Sequence, residues 1–138
     1  MDDKRLIDKI EGVIKAVRPE IVFVNYLHDT HQDHRNTASA ALSVARHLRN
    51  VLFFYEVPST RDFLPTAFVD IGDVLDKKMK LLKSHKSRAF AIKIAGLSIF
   101  ENAKSCANFR GFQGNVKYAE GFMPLRLSWM GLIKGEHQ

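Results

Sequence analysis

Apolar positions along the chain follow a helical period in some segments and form short unbroken runs in others. Over residues 3–17 they recur every three or four positions, which predicts an amphipathic helix that Pro19 stops. The β-branched run at 20–25 predicts a buried strand, a helix should begin near residue 36, and a second buried strand should follow at 51–56. This alternation predicts an α/β fold with a mostly parallel sheet flanked by helices.

The second half of the chain has a less regular pattern. A short strand is expected at 68–71 and a lysine-rich helix from Asp73 to about His85. A further helix over 89–109 should end at Arg110-Gly111, where glycine can adopt the left-handed conformation, and 125–127 is the candidate for a last strand. We expect the core to contain five strand residues: Val22, Val24, Val51, Phe53 and Phe54.

Length, composition and charge limit the number of domains, the compartment and the partners that this chain is expected to have. At 138 residues with 46% apolar content, residues 1–138 are expected to form a single domain. The single cysteine is typical of a reducing compartment and favours the cytoplasm. No apolar run approaches the roughly 20 residues of a membrane helix, so no membrane partner is expected. The net charge of +6 is spread along the sequence, which argues against a nucleic-acid partner.

The densest chemistry lies at residues 28–35, which read H-D-T-H-Q-D-H-R. Three imidazoles and two carboxylates within seven positions form the largest group of potential metal ligands and proton carriers in the sequence. This cluster directly follows the first predicted strand. Because open α/β sheets bind ligands at the carboxyl ends of their strands, the function is expected here.

Residues 31–35, His-Gln-Asp-His-Arg, resemble the H-[PQ]-D-H-R signature of the LmbE-like, or PIG-L, family of zinc-dependent de-N-acetylases. Further stretches resemble the same family in the same order and cover most of the chain: the 68–71 strand, the lysine-rich helix with 85–88, the Arg110-Gly111 pair, and 118–122. Members of the family act on acetamido sugars. The resemblance implies a zinc-dependent hydrolase that removes the acetyl group from an N-acetylglucosamine-containing substrate.

One part of the family pattern is not found. The family domain opens with a strand and a P-H-P-D-D-E loop that supplies a histidine, an aspartate ligand and the general base, and this sequence has no such motif. The resemblance therefore implies the carboxy-terminal portion of a Rossmann-like LmbE-type domain without its first strands. An unpaired sheet edge would follow, and with it either a homo-oligomer or a complementing chain that carries the P-H-P-D-D-E motif.

The resemblance also implies roles for four residues. His34 would be a zinc ligand, and His31 would stabilise the oxyanion or protonate the departing amine. Asp33 would orient one of these imidazoles by accepting its second N–H. Arg35 would pair with a carboxylate or contact the substrate. His28 with Asp29 is an alternative source of the absent ligands.

Two functions remain open from the sequence. The first is a zinc-dependent deacetylase that is incomplete as this chain alone, because one imidazole does not make a zinc site. The second is a non-catalytic remnant or binding module for a glycan or polyanion. A steep fall of binding with added salt would indicate polyanion contact.

Overall fold

A computed structural model describes residues 3–46, 51–84, 96 and 98–127. The chain folds as two compact units, the first formed by Met1–Thr66 with Phe122–Gln138 and the second by Ala67–Gly121. Each unit has its own apolar cluster.

The first unit contains two helices and two parallel strands. Helix α1 spans Asp3–Val17, strand β1 Ile21–Asn25, helix α2 Gln32–Ala45 and strand β2 Val51–Tyr55. The predicted order of elements is confirmed, and so is the α/β fold class. Helix α2 begins about four residues earlier than predicted, because the side chain of the residue before Gln32 caps it.

The sheet is mixed, with strand order β1-β2-β4-β3. Strands β1 and β2 pair in parallel, whereas β4, Ala119–Pro124, runs antiparallel to β2. Strand β3 spans Ala67–Asp70. The last strand thus precedes the predicted 125–127, and the main-chain N–H of Leu125 donates to the Leu52 carbonyl just past its end.

One face of the β1 and β2 strands is closed by α2. Val24, Leu52 and Phe54 are buried there against small α2 residues such as Ala38 and Ala41. The alanines have no bulk beyond Cβ, so the helix backbone approaches the sheet closely and the strand side chains fill the space between. The core prediction is confirmed for the two buried members of its set, and Val22 packs against this cluster while partly exposed.

The other face of the same strands carries aromatic side chains that are exposed or only partly buried. Phe23, Phe53 and Phe122 lie on it, with ring centroids 5.3 to 6.1 Å apart. We call these three residues the aromatic face. The prediction that Val51 and Phe53 belong to the core is wrong, because both are only partly buried. Their burial would need a layer on this face, and the period-2 alternation of a strand turns them away from α2.

The second unit is held by a smaller cluster of Ile71, Leu75 and Ala107. A 3-10 turn at Gly72–Val74 leads into helix α3, Leu75–Ser84, and helix α4 spans Ile99–Gln113. Two parts of the prediction lie outside the described residues. They are His85 and most of the 89–98 portion of the helix predicted over 89–109. Within the described ranges, no helix combines the length and the apolar character that crossing a bilayer requires.

The predicted end of α4 at Gly111 is wrong, because the helix continues to Gln113. Gly111 is instead required for close packing: a Cβ there would lie 2.6 Å from the Lys117 carbonyl oxygen. The left-handed residue after the helix is Asn115, with φ 58°. Gly111 is therefore required because a side chain at this position would clash with the backbone, and not because the residue adopts a left-handed conformation.

Candidate active site

The histidine cluster occupies the loop between β1 and α2 together with the first turn of α2, and the loop that follows β2 holds it in place. The main-chain N–H of Thr30 donates to the Ser59 carbonyl at 3.0 Å, and Asp29 forms an isolated antiparallel bridge with Thr60. Both loops follow the carboxyl ends of parallel strands. The predicted position of the cluster, at the ligand-binding edge of the sheet, is therefore the one that the fold produces.

Asp29 is the buried centre of this loop, with a side-chain exposure of 0%. Its Oδ1 accepts the His31 main-chain N–H at 2.8 Å. Its Oδ2 accepts the Thr60 hydroxyl at 3.0 Å and lies 3.1 Å from His34 Nδ1. Its main-chain carbonyl accepts an N–H from the Arg35 guanidinium at 2.6 Å. A buried carboxylate with its oxygens satisfied in this way is a rigid acceptor.

The same contacts determine the charge on Asp29. Burial raises the pKa of its carboxyl, but hydrogen bonds from the His31 amide, Ser59, His34 and Thr60 outweigh burial and lower the pKa from 3.8 to about 2. The carboxylate is therefore ionised at neutral pH. It can accept hydrogen bonds but has no proton to donate.

The ionised carboxylate fixes the tautomer of His34. Since Asp29 Oδ2 can only accept, the proton of a neutral His34 ring lies on Nδ1, which is 3.1 Å away. The lone pair is then on Nε2, and the side chain is 25% exposed. A carboxylate behind the imidazole is the arrangement in which histidine ligands bind metals in proteins. In this tautomer the Nε2 nitrogen of His34 keeps its lone pair, as a metal ligand requires.

His31 lies against His34, with the ring centroids 4.5 Å apart and the ring planes at 22°. Its Nδ1 accepts the main-chain N–H of Asp33 at 3.3 Å and caps the amino terminus of α2. A neutral His31 ring therefore carries its proton on Nε2. Because the residue is exposed, this proton can be donated to a molecule bound beside His34.

In the described part of the chain, the side chains of the other two predicted residues, Asp33 and Arg35, form no hydrogen bond with the His34 ring. The orienting role predicted for Asp33 is taken by Asp29, because the His34 ring bonds to Asp29, while Asp33 is exposed in the first turn of α2. Arg35 is exposed but binds the Asp29 carbonyl through one guanidinium nitrogen. It therefore tethers the loop.

Sequence reasoning missed the roles of Asp29 and Thr60. The sequence indicates Asp29 only as a substitute ligand, although it stands five positions before His34 and shortly after the strand. Thr60 carried no signal, because 31 positions separate it from the carboxylate that it binds. His28 is exposed and its ring lies 5.3 Å from that of Tyr26. His47, His85 and His137 lie outside the described residues.

The described residues do not form a complete metal centre. No group of three histidine, cysteine, aspartate or glutamate side chains that could hold a metal is found in that part of the chain. A catalytic zinc site needs three protein ligands and an open position. His34 fits the requirements of one ligand, and Asp29 is engaged as its support. The zinc expected from the resemblance therefore needs ligands from elsewhere.

Comparison with known proteins identifies solved structures with a similar fold. The chain matches no family model. It is similar to the conserved protein TT1542 from Thermus thermophilus, with a TM-score of 0.73 and 23% identity over 91% of this chain and 62% of that one. Against the zinc-inhibited form of teicoplanin deacetylase Orf2 the TM-score is 0.71, with 19% identity, 88% of this chain and 50% of the other.

Two further structures, a deacetylase and a hydratase, are also similar to this chain. N,N'-diacetylchitobiose deacetylase from Pyrococcus horikoshii gives a TM-score of 0.68, with 20% identity over 88% of this chain and 51% of the enzyme. GalB, a 4-carboxy-2-hydroxymuconate hydratase from Pseudomonas putida, gives 0.69, with 19% identity over 93% of this chain and 61% of the hydratase.

These comparisons establish the fold. The resemblance to de-N-acetylases drawn from residues 31–35 is confirmed at that level, since two of the similar structures are deacetylases. A hydratase has the same fold, so the fold alone does not select a reaction. The chain spans between half and 62% of the length of these proteins.

Proposed function

We propose that this chain contributes to a zinc-dependent hydrolase that removes the acetyl group from an N-acetylglucosamine-containing substrate. The observation that carries the proposal is the Asp29–His34 pair, in which a buried carboxylate at 3.1 Å leaves Nε2 as the lone-pair nitrogen of an imidazole at the sheet edge. Deacetylases among the similar structures support the same reaction class.

In this proposal His34 is one of three metal ligands. A bound zinc ion would supply a water of lowered pKa and polarise the amide carbonyl. Asp29 holds the His34 ring in position and fixes its tautomer. Thr60 and the His31 amide in turn hold Asp29, which supports an imidazole that is oriented before a metal would bind.

His31 would act on the substrate itself. Its neutral ring carries the proton on Nε2, because its Nδ1 accepts the Asp33 N–H. Stacking of the two rings at 4.5 Å supports this role, because the donor would then lie beside a metal bound to His34. It would stabilise the charge that develops on the amide oxygen or protonate the departing amine, a task suited to imidazole.

Arg35 and Asp33 would have supporting parts. The one hydrogen bond from Arg35 to the Asp29 carbonyl leaves guanidinium N–H groups that could meet a sugar hydroxyl. Asp33 contributes through its main-chain N–H, which fixes the His31 ring. Its exposed carboxylate lies in the first turn of α2, where negative charge is favourable.

The remaining ligands and the general base would come from a polypeptide bearing the P-H-P-D-D-E motif. Such a segment would join this chain at the sheet edge where His34 lies. The substrate class is an acetamido sugar, by analogy with the diacetylchitobiose deacetylase of the same fold. We place the reaction in the cytoplasm, since the chain has a single cysteine.

The proposal is tested by measuring zinc stoichiometry and acetate release from N,N'-diacetylchitobiose, with and without a polypeptide that carries P-H-P-D-D-E. The chain alone should release no acetate, and the combination should bind zinc at about one per complex. His34→Ala should abolish zinc binding. Asp29→Asn should weaken it roughly 10- to 100-fold, as expected for the partner behind a metal-bound histidine.

Asp33→Asn is the matched control, because it removes a carboxylate of the same loop and helix start that does not bond to the His34 ring. It should leave zinc affinity unchanged. Equal acetate release without the added polypeptide would contradict the complementation. Binding of chitin oligosaccharides or polyanions with no hydrolysis by the complex would instead favour a non-catalytic binding module.

A further inference from the structure

A second concave region lies in the first unit, at the carboxyl end of α2. It is an open cleft of about 590 Å³, and the described residues that line it are Leu42, Ser43, Arg46, Leu125 and Arg126. The first three belong to the last turn of α2 and its C-cap, and the other two directly follow β4. Ligand pockets have volumes of about 300–1,000 Å³ and combine apolar walls with a few polar groups. This region, which we call the arginine cleft, has that size and that mixture of groups.

The arginine cleft lies away from the histidine cluster. His31 and His34 are at the amino terminus of α2, whereas the cleft is at its carboxyl terminus. A helix of 14 residues is roughly 20 Å long, so most of this length separates the two places. The residues that line the cleft take no part in the hydrogen bonds given above for Asp29. The cleft is therefore a candidate site of its own.

Hydrogen bonds join the two walls of the arginine cleft. A guanidinium nitrogen of Arg126 donates to the main-chain carbonyl of Ala45 at the end of α2. The main-chain N–H of Leu125 donates to the Leu52 carbonyl of β2 at 2.8 Å. The segment that follows β4 is thus fixed against both α2 and the sheet. A cleft that is held in this way needs little ordering when a ligand binds, which favours affinity.

The charge in the arginine cleft is positive and is not balanced by acidic side chains. Arginine is always protonated in proteins. Among the described residues, neither Arg46 nor Arg126 forms an ion pair, and the described lining contains no aspartate or glutamate. The carboxyl end of a helix carries about −0.5 of an elementary charge, which offsets only part of two positive charges. The cleft therefore attracts an anion.

Both arginines keep hydrogen-bond donors for such an anion. Within the described residues, the Arg46 side chain bonds through Nε and the Arg126 side chain through Nη2, each to a main-chain carbonyl of α2. The remaining guanidinium N–H groups suit a phosphate or a carboxylate, which arginine binds through paired hydrogen bonds. Leu42 and Leu125 add apolar surface, one on each wall. The lining thus fits a molecule with one anionic group and an apolar body.

We propose that the arginine cleft binds a small organic anion. Arg46 and Arg126 hold its phosphate or carboxylate group, and Leu42 and Leu125 contact its apolar body. The proposal is carried by the position of two guanidiniums without acidic partners and two leucines around one cleft. It is independent of the proposed reaction, since it involves neither a metal nor an acetyl group.

The test is isothermal titration calorimetry of the full chain without zinc, with octyl phosphate as the probe. Arg46→Gln and Arg126→Gln should each weaken binding at least about tenfold, because each removes a charged hydrogen-bond donor. Inorganic phosphate lacks the apolar body and octyl glucoside lacks the charge, so both should bind at least about tenfold more weakly than octyl phosphate. Octanoate presents a carboxylate instead, and the tighter of the two anionic probes identifies the group that the cleft prefers.

Arg61→Gln is the matched control, because Arg61 is an exposed arginine of the same unit in the loop that follows β2. It should bind octyl phosphate like the wild-type chain. Arg126→Gln also loses the bond to Ala45, so Arg46→Gln, whose bond stays within the end of α2, guards against a misfolded variant. Circular dichroism checks that each variant is folded.

The proposal is overturned if the wild-type chain binds neither octyl phosphate nor octanoate. Equal binding of octyl glucoside also overturns it, because the guanidiniums then play no part. An equal loss in Arg61→Gln would mean that the probe responds to net charge and not to this cleft, which contradicts the proposal as well. His34→Ala should bind octyl phosphate like the wild-type chain, so failure of the deacetylase proposal and failure of this one can be told apart.

Discussion

Strands β1 and β2 have two apolar faces, of which one is closed and the other open. On the closed face Phe54 is 3% exposed and packs against α2, whereas on the open face Phe23 is 55% exposed although it touches two other rings. The side chains are chemically identical. Their difference teaches that burial in this sheet depends on the face to which a side chain points, because among the described residues α2 covers the face of Phe54.

The largest expected effect distinguishes these two phenylalanines. Phe54→Ala should lower the free energy of unfolding by about 3–5 kcal/mol, because it leaves a cavity between β2 and α2. Phe23→Ala should lower it by less than about 1 kcal/mol, since solvent already reaches that ring. Urea unfolding followed by circular dichroism measures both. Equal losses would show that the aromatic face is buried in solution.

The second effect concerns Asp29, the buried carboxylate that follows β1. The folded state lowers the pKa of Asp29 to about 2 from 3.8, so the ionised carboxyl stabilises the fold above pH 3.8, and this contribution is lost as the pH falls through 2. The contribution is roughly 2 kcal/mol at pH 7 and about 1 kcal/mol smaller at pH 3.

Unfolding of Asp29→Asn and the wild-type chain at pH 7 and pH 3 measures this difference. The gap between the two proteins should narrow by about 1 kcal/mol at the lower pH. Asp33→Asn, which removes an exposed carboxylate in the first turn of α2, should cost less than about 1 kcal/mol at pH 7. A gap for Asp29→Asn that is constant with pH would contradict the charge assigned to this group.

The smallest effect compares a crowded glycine with an open one. A Cβ at Gly111 would lie 2.6 Å from the Lys117 carbonyl oxygen, whereas at Gly12 in α1 it would meet nothing within 4 Å. Gly12→Ala should therefore stabilise the chain by about 0.5–1 kcal/mol through helix propensity. Gly111→Ala should destabilise it. Thermal unfolding of the two variants measures both effects. If Gly12→Ala and Gly111→Ala both stabilised the chain, the close packing at Gly111 would be contradicted.

Much of the fold followed from local patterns. The period of apolar residues located α1, and the two β-branched or aromatic runs located β1 and β2 almost to the residue. The end of α4 was misplaced, because Gly111 serves a close contact with the Lys117 backbone and does not end the helix. The position of β4 was misplaced as well. The partly exposed position of Phe53 was missed for a related reason, since a strand pattern does not tell whether a second layer is present.

Part of the candidate site could likewise be predicted from the sequence, and part of it could not. The sequence by itself determined that imidazoles and carboxylates gather after β1, because that clustering is a matter of spacing alone. Only the tertiary structure decided that Asp29 and not Asp33 supports His34, since burial by the 57–61 loop and the Thr60 hydroxyl bring the acceptor into place. Hydrogen-bond geometry and desolvation arise between segments that lie far apart in the chain, and no local pattern records them.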